Sequence, residues 1–175
     1  ALISSLFLSI IPSILPRTIA GIPEKESSAF FFLFLSFYLF LCAWKAKGLR
    51  NQLIFALLAG ISTGAMALVW GGYAFIFMTI TPAVFVCFLF GSFDRNRIYS
   101  FIVFLSSSFV LMYSFTTRYP AIVLLTSLTT GAAIVVLYIA GVHSAIFNTK
   151  LKKYLESGRF SKIPQRIISV VLASA

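Results

Sequence analysis

Long apolar runs, spaced by short connectors that carry nearly all the charge, constrain this chain more than any other feature. Runs at 28–44, 52–69, 74–92, 98–115 and 121–142 match the roughly 17–25 residues that a helix needs to cross the hydrocarbon core. Residues 1–16 read as a further span, and 167–175 as the first turns of a seventh. Within a bilayer a lone strand cannot satisfy its backbone N–H and C=O groups, so these runs must be helices. The expected fold is all-α, a polytopic membrane helical bundle with about six full spans and the start of a seventh. Composition agrees. Of the 175 residues 60% are hydrophobic and 10% charged, whereas a soluble domain carries roughly 25% charged residues. Phe alone occurs 20 times, and mean hydropathy is +1.01. A soluble domain, a disordered chain and a disulfide scaffold are thereby excluded.

The net charge of +10 does not point to nucleic acid, because the basic residues punctuate apolar runs and form no continuous basic face. Their distribution sets an orientation instead. The connectors 45–51, 93–97 and 143–166 hold Lys45, Lys47, Arg50, Arg95, Arg97, Lys150, Lys152, Lys153, Arg159, Lys162 and Arg166. The alternating connectors 17–27, 70–73 and 116–120 hold only Arg17, Lys25 and Arg118. Eleven basic residues against three place the first set in the cytoplasm by the positive-inside rule. Residues 17–27 are then outside and 143–166 inside. The tract 150–166 reads as a cytoplasmic loop that touches anionic headgroups of the membrane lipids. Cys42 and Cys87 lie inside apolar runs at no metal or redox spacing, and read as packing residues. His143, at the inner end of the sixth run, reads as an interfacial residue. The chain opens and closes within apolar sequence and lacks an initiator Met; residues 1–175 are expected to be one transmembrane piece of a longer polypeptide.

Polar residues stand out at two outward places. The first is 16–28, Pro-Arg-Thr-Ile-Ala-Gly-Ile-Pro-Glu-Lys-Glu-Ser-Ser, which holds Glu24 and Glu26, two of the four acids. Two carboxylates one residue apart at a membrane surface can hold a hard cation such as Mg2+ or Mn2+ and leave positions for water and a substrate phosphate. Arg17, seven residues before Glu24, could engage a carboxylate or phosphate bidentately. A purely structural reading is also open: Pro23 followed by Glu-Lys-Glu is a good helix start, where each acid gains about 0.3–1 kcal/mol from the helix dipole. The second place is Trp70-Gly71-Gly72-Tyr73. Glycine permits the tight turn and the aromatic rings suit the interface, or the turn walls a site carried by a loop. Gly60 and Gly64 form a Gly-x-x-x-Gly pair that predicts close helix packing.

Arg-Thr-Ile-Ala-Gly from Arg17, the acid-x-acid pair Glu24 and Glu26, an aromatic span, a basic turn, a small-residue span and Trp70-Gly71-Gly72-Tyr73 follow in a distinctive order. This order resembles the catalytic subunit of N-glycosylation oligosaccharyltransferases, in particular the archaeal ones. Thr117-Arg118-Tyr119-Pro120 and the stretch Leu-Thr-Ser-Leu-Thr-Thr-Gly at 125–131 are similar to the archaeal pattern as well. The resemblance runs along essentially the whole chain. It implies a membrane glycosyltransferase that transfers an oligosaccharide en bloc from a polyprenyl (dolichol-type) phosphate carrier to Asn in Asn-x-Ser/Thr of an acceptor protein. The reaction would depend on Mn2+ or Mg2+ and occur on the outer or lumenal face. Glu24 matches the metal-binding acid of the family's second acidic motif, Glu26 its partner, and Arg17 the arginine just upstream; Trp70, Tyr73 and Arg118 would wall the substrate site. Glu24 departs from the Asp of many members by one methylene, which would shift the metal. The first acidic motif, a later loop acid and the Trp-Trp-Asp of the soluble acceptor-reading domain find no counterpart in these residues, so the isolated piece is expected to be inactive. The membrane expected is an archaeal plasma membrane, with the endoplasmic reticulum as the alternative.

Two other readings compete. One is a different polyprenyl-dependent glycosyltransferase, such as a single-sugar transferase. The other is a transporter or non-catalytic membrane subunit. An ion-coupled transporter should carry ionisable residues mid-span, whereas here the polar character inside the spans comes from Ser, Thr and Gly and the charges sit at the ends.

Overall fold

A computed structural model describes residues 25–91, 93–115 and 117–147, together with Arg166, Val170 and Ala173. The expected spans at 1–16 and 167–175 fall, apart from Val170 and Ala173, outside the described residues. Every element within them is helical: α1 (Lys25–Lys45), α2 (Leu49–Val69), a 3-10 turn (Gly71–Tyr73), α3 (Ala74–Leu89), α4 (Arg95–Phe115), α5 (Ala121–Thr126) and α6 (Leu128–Phe147). Four of the helical segments, Lys25–Lys45, Leu49–Val69, Gly71–Leu89 and Arg95–Phe115, are long and apolar enough to cross a membrane, and Leu128–Ser144 is a shorter apolar helix. The chain is an integral membrane protein in which large side chains such as Phe31, Tyr38, Val110 and Leu128 face outward, as a lipid environment permits.

Local chemistry explains the ends. Glu26 lies in the first turn of α1 and Lys45 in its last, each with the sign that the helix dipole favours. The Gln52 amide Nε2 donates to the Ala46 carbonyl at 2.9 Å and so serves one of the acceptors that α1 leaves open at its end. Gly91, at φ 90°, supplies the positive φ just after α3, and Gly48, at φ 93° and ψ 138°, is the N-cap from which α2 starts, a conformation that glycine adopts freely.

The residue seam on α2 sets the packing. α2 lies against both α1 and α4, while α3 packs chiefly on α6. A methyl group built on Gly60 would come 2.5 Å from the Phe104 carbonyl, and one on Gly64 would come 2.6 Å from Leu111 Cβ; the Gly-x-x-x-Gly pair thus permits the close approach of α2 and α4. On the other side of α2 hydroxyls join α1. Ser36 Oγ and Thr63 Oγ1 are 2.6 Å apart, and Ser62 Oγ donates to the Phe32 carbonyl at 2.9 Å. The space between α3 and α4 is filled by rings, with Phe77 at 5.9 Å from Phe104 and 6.0 Å from Phe109.

The apolar run at 121–142 differs from the single span expected. It breaks at Ser127, whose ψ of 143° is extended. A break inside hydrocarbon must satisfy the freed backbone groups, and local hydroxyls do so. Thr130 Oγ1 donates to the Leu124 carbonyl and also pairs with Ser127 Oγ. Gly131 has no side chain in the way; a Cβ there would stand 2.8 Å from the Leu125 carbonyl.

Candidate functional site

The antiparallel course of the helices gives the bundle two chemically distinct ends. At one end α1 starts with Glu26, α2 finishes at Trp70, the 3-10 turn leads to α3, and α4 finishes before the turn that bears Arg118 and Tyr119. At the other end lie Lys45, Lys47, Arg50, Arg95 and Arg97. Arg97 is stacked over the Trp44 ring at 4.9 Å, and Trp44 in turn stacks on Phe93 at 5.8 Å with 12° between planes. This sandwich fixes the last turn of α1 to the first of α4. A desolvated cation over Trp contributes about 2 kcal/mol, and an exposed one about 0.5–1.

Several of the expected site residues lie at the first end. Tyr73 is buried in the 3-10 turn, and its ring meets Tyr119 edge to face at 5.0 Å. Tyr119 is itself buried, and its hydroxyl reaches the Ala67 carbonyl at 3.4 Å, which ties the turn after α4 to the last turns of α2. Trp70 covers Gly72, where a Cβ would lie 1.9 Å from the indole. The same indole meets Phe30 of α1 at 6.3 Å. Phe30 stands one helical turn from Glu26, so Trp70 and Glu26 belong to the same end of the α1–α2 pair. Arg118 is exposed beside Tyr119, and Tyr113, Ser114, Phe115, Thr117, Tyr119 and Pro120 line a cleft of about 460 Å3 there.

Glu26 is half-buried in the first turn of α1 and engaged by neighbouring groups. Backbone N–H groups at a helix N-terminus favour the ionised carboxylate, the form a hard cation requires. The donor is therefore right in kind for Mg2+ or Mn2+. Arg17 and Glu24 lie outside the described residues. Among the described residues no group of three or more His, Cys, Asp or Glu side chains comes together, so further ligands would have to come from Glu24 and from groups beyond this set.

Two side chains that organise this end carry little signal in the sequence. Tyr119 is one residue of Thr-Arg-Tyr-Pro, and Phe30 one of several Phe in the aromatic span at 28–44. A Tyr-Pro pair just beyond a span, opposite a Trp-Gly-Gly-Tyr turn, is the available signal for the first; Phe30 carries none that distinguishes it from its neighbours.

A family model described as oligosaccharyl transferase STT3, N-terminal, matches residues 1–173. Among curated proteins, the dolichyl-diphosphooligosaccharide–protein glycosyltransferase subunit STT3A of Oryza sativa subsp. japonica is 33% identical over 99 residues, which are 56% of this chain and 12% of the relative. The subunit STT3B of Arabidopsis thaliana is 32% identical over 95 residues, 54% of this chain and 12% of the relative. The STT3 subunit of Dictyostelium discoideum is 29% identical over 98 residues, 56% of this chain and 13% of the relative. These matches span about an eighth of the length of the relatives. No solved structure matches the chain.

Proposed function

The chain belongs to the oligosaccharyl transferase STT3 family, through its N-terminal domain, and on that premise we propose that it is part of a membrane glycosyltransferase that moves a lipid-linked oligosaccharide en bloc to Asn of Asn-x-Ser/Thr. The observation that carries this reading is the family match over residues 1–173. The names of the three relatives, all protein glycosyltransferase subunits, favour it over a single-sugar transferase or a transporter.

In this reading the end bearing Glu26, Trp70, Tyr73 and Arg118 faces the outer or lumenal side, and the end bearing Lys45, Lys47, Arg95 and Arg97 faces the cytoplasm, as the basic asymmetry supports. Glu24 and Glu26 would hold Mn2+ or Mg2+, which supplies Lewis-acid stabilisation of the charge that develops on a phosphate leaving group. The chain's own residues have separate tasks. Arg17 would order the acids or hold the carrier phosphate through its planar fork. The carboxylates would also accept hydrogen bonds from the acceptor carboxamide, a poor nucleophile that must be oriented before it can attack. Trp70, propped by Phe30 and closed over Gly72, would form a fixed wall beside them, with Arg118 on the other side. Thr117-Arg118-Tyr119-Pro120 supports an archaeal type; the eukaryotic relatives support the endoplasmic reticulum as the membrane.

The test is Glu24→Gln in the full-length protein. Metal-dependent transfer to an Asn-x-Thr peptide should be lost while membrane insertion and yield stay normal. Undiminished transfer would refute the assignment of Glu24.

A further inference from the structure

A second polar cleft lies at the opposite, basic end of the bundle. It has a volume of about 350 Å3 and is lined by Phe88, Phe93, Arg95, Ala140, His143 and Ser144. Three elements form it: the last turns of α3 and α6 and the start of α4.

Phe88 is the centre of its floor. His143 meets this ring edge-on at 5.4 Å and 89°. The Arg166 guanidinium lies 5.7 Å from the same ring and donates to the Phe88 carbonyl, at the end of α3 where a cation is favoured by the helix dipole. From the other side Arg95 is held over Tyr99 at 5.6 Å, with its Nε donating to the Tyr99 hydroxyl at 3.0 Å. Arg95 and His143 thus line one concavity whose floor is aromatic and aliphatic, and the Arg166 guanidinium stands against the Phe88 ring of that floor. Asp94, exposed beside Arg95, is the one carboxylate described at this end. Two guanidinium groups beside one apolar floor attract an anion.

We propose that this cleft binds the phosphate of an anionic glycerophospholipid. Arg95 and Arg166 hold the phosphodiester oxygens, and Phe88 and Phe93 take the first apolar atoms of the lipid. Guanidinium forks match phosphate oxygens bidentately, and basic clefts between helices at the membrane surface are where such headgroups dock. The apolar floor separates a lipid from a free ion, since inorganic phosphate gains nothing from Phe88 or Phe93. The site stands at the end of the bundle away from Glu26 and does not depend on the transferase reading.

The experiment is lipid titration of the full-length protein, purified in detergent, with phosphatidylglycerol and phosphatidylcholine, read by native mass spectrometry. Phosphatidylglycerol should be retained in preference to phosphatidylcholine. Arg95→Gln and Arg166→Gln should each weaken that retention about fivefold, as the loss of one surface charge implies. Arg95→Lys should keep most of it, and Lys47→Gln should leave it unchanged. If Arg166→Gln fails to fold, the Arg95 pair of variants carries the test alone. Equal retention of both lipids, an equal loss in Lys47→Gln, or displacement of phosphatidylglycerol by inorganic phosphate at similar concentration would each overturn the proposal.

Discussion

Replacing Gly60 by Ala adds one methyl group to the α2–α4 seam, and the geometry fixes its consequence. The new Cβ would stand 1.8 Å from Ser107 Oγ, 2.5 Å from the Phe104 carbonyl oxygen and 3.1 Å from Ser107 Cβ. The serine hydroxyl can turn away only by giving up its bonds to the Val103 and Phe104 carbonyls, at 2.8 and 3.1 Å. The carbonyl belongs to the backbone of α4 and cannot turn at all. To restore ordinary contact, α4 must retreat by about 1 Å, a gap that forfeits a quarter to a half of each dispersion contact of ~0.1–0.2 kcal/mol. Over roughly 40 atom pairs along the seam the loss is about 2 kcal/mol, within the ~1–3 kcal/mol typical of overpacking. Ala is the better helix former by about 1 kcal/mol, so intrinsic propensity alone would give the opposite sign. The assay is equilibrium unfolding of the full-length protein in mixed micelles. Gly141→Ala is the control, since a Cβ there has nothing within 4 Å, and it should be neutral or stabilising. Ser107→Gly should rescue Gly60→Ala only in part, because the Phe104 carbonyl remains. Wild-type stability in Gly60→Ala, or complete rescue by Ser107→Gly, would refute the argument.

Three further outcomes are expected. Glu26→Gln in the full-length protein should reduce transfer and raise the Mn2+ concentration needed for half-maximal activity, measured by glycopeptide formation across a metal titration; an unchanged metal requirement would assign Glu26 to the helix start alone. Ser36→Ala and Thr63→Ala, combined in a double-mutant cycle, should show a coupling near ~0.6 kcal/mol, the average for a hydrogen bond between membrane helices, and unfolding free energies would show additivity if the 2.6 Å contact does not matter. Tyr119→Phe should cost little, under about 1 kcal/mol, because its 3.4 Å bond to Ala67 is long. Tyr119→Ala should cost about 3–5 kcal/mol by emptying the pocket against Tyr73, and melting curves of the two variants distinguish ring packing from the hydroxyl.

What could be read from sequence follows the physics that a bilayer enforces. Apolar length together with backbone satisfaction leaves helices as the answer at 28–44, 52–69, 74–92 and 98–115, where α1 to α4 stand. Gly60 and Gly64 were legible for the same reason, since their spacing puts both on one face. The break at Ser127 was hidden because hydropathy counts side chains and the break concerns carbonyls. Its trace is the cluster Thr126, Ser127, Thr129 and Thr130, whose hydroxyls can replace backbone donors. At the site, the Trp70–Tyr73 turn is legible in the sequence, but its union with Tyr119 is not. A contact across 52 residues, as from Tyr119 to Ala67, leaves no local pattern. The same holds for Arg97 on Trp44, which in sequence were merely two flanks of apolar runs.

The two kinds of seam around the bundle imply two rates of evolutionary drift. Where α2 meets α4, backbone touches side chain through glycine, and nearly any substitution enlarges the residue; such positions are expected to stay fixed among descendants of this chain. Where α3 meets α4, Phe77, Phe104 and Phe109 keep the backbones apart, and a ring can be exchanged for an aliphatic side chain of comparable bulk if a neighbour compensates. Divergence should therefore accumulate on α3 as paired exchanges of volume and spare the face of α2 that carries Gly60 and Gly64. A lineage can in this way remodel the half of the bundle behind the Trp70–Tyr73 turn while the helix that ends in Trp70 keeps its place.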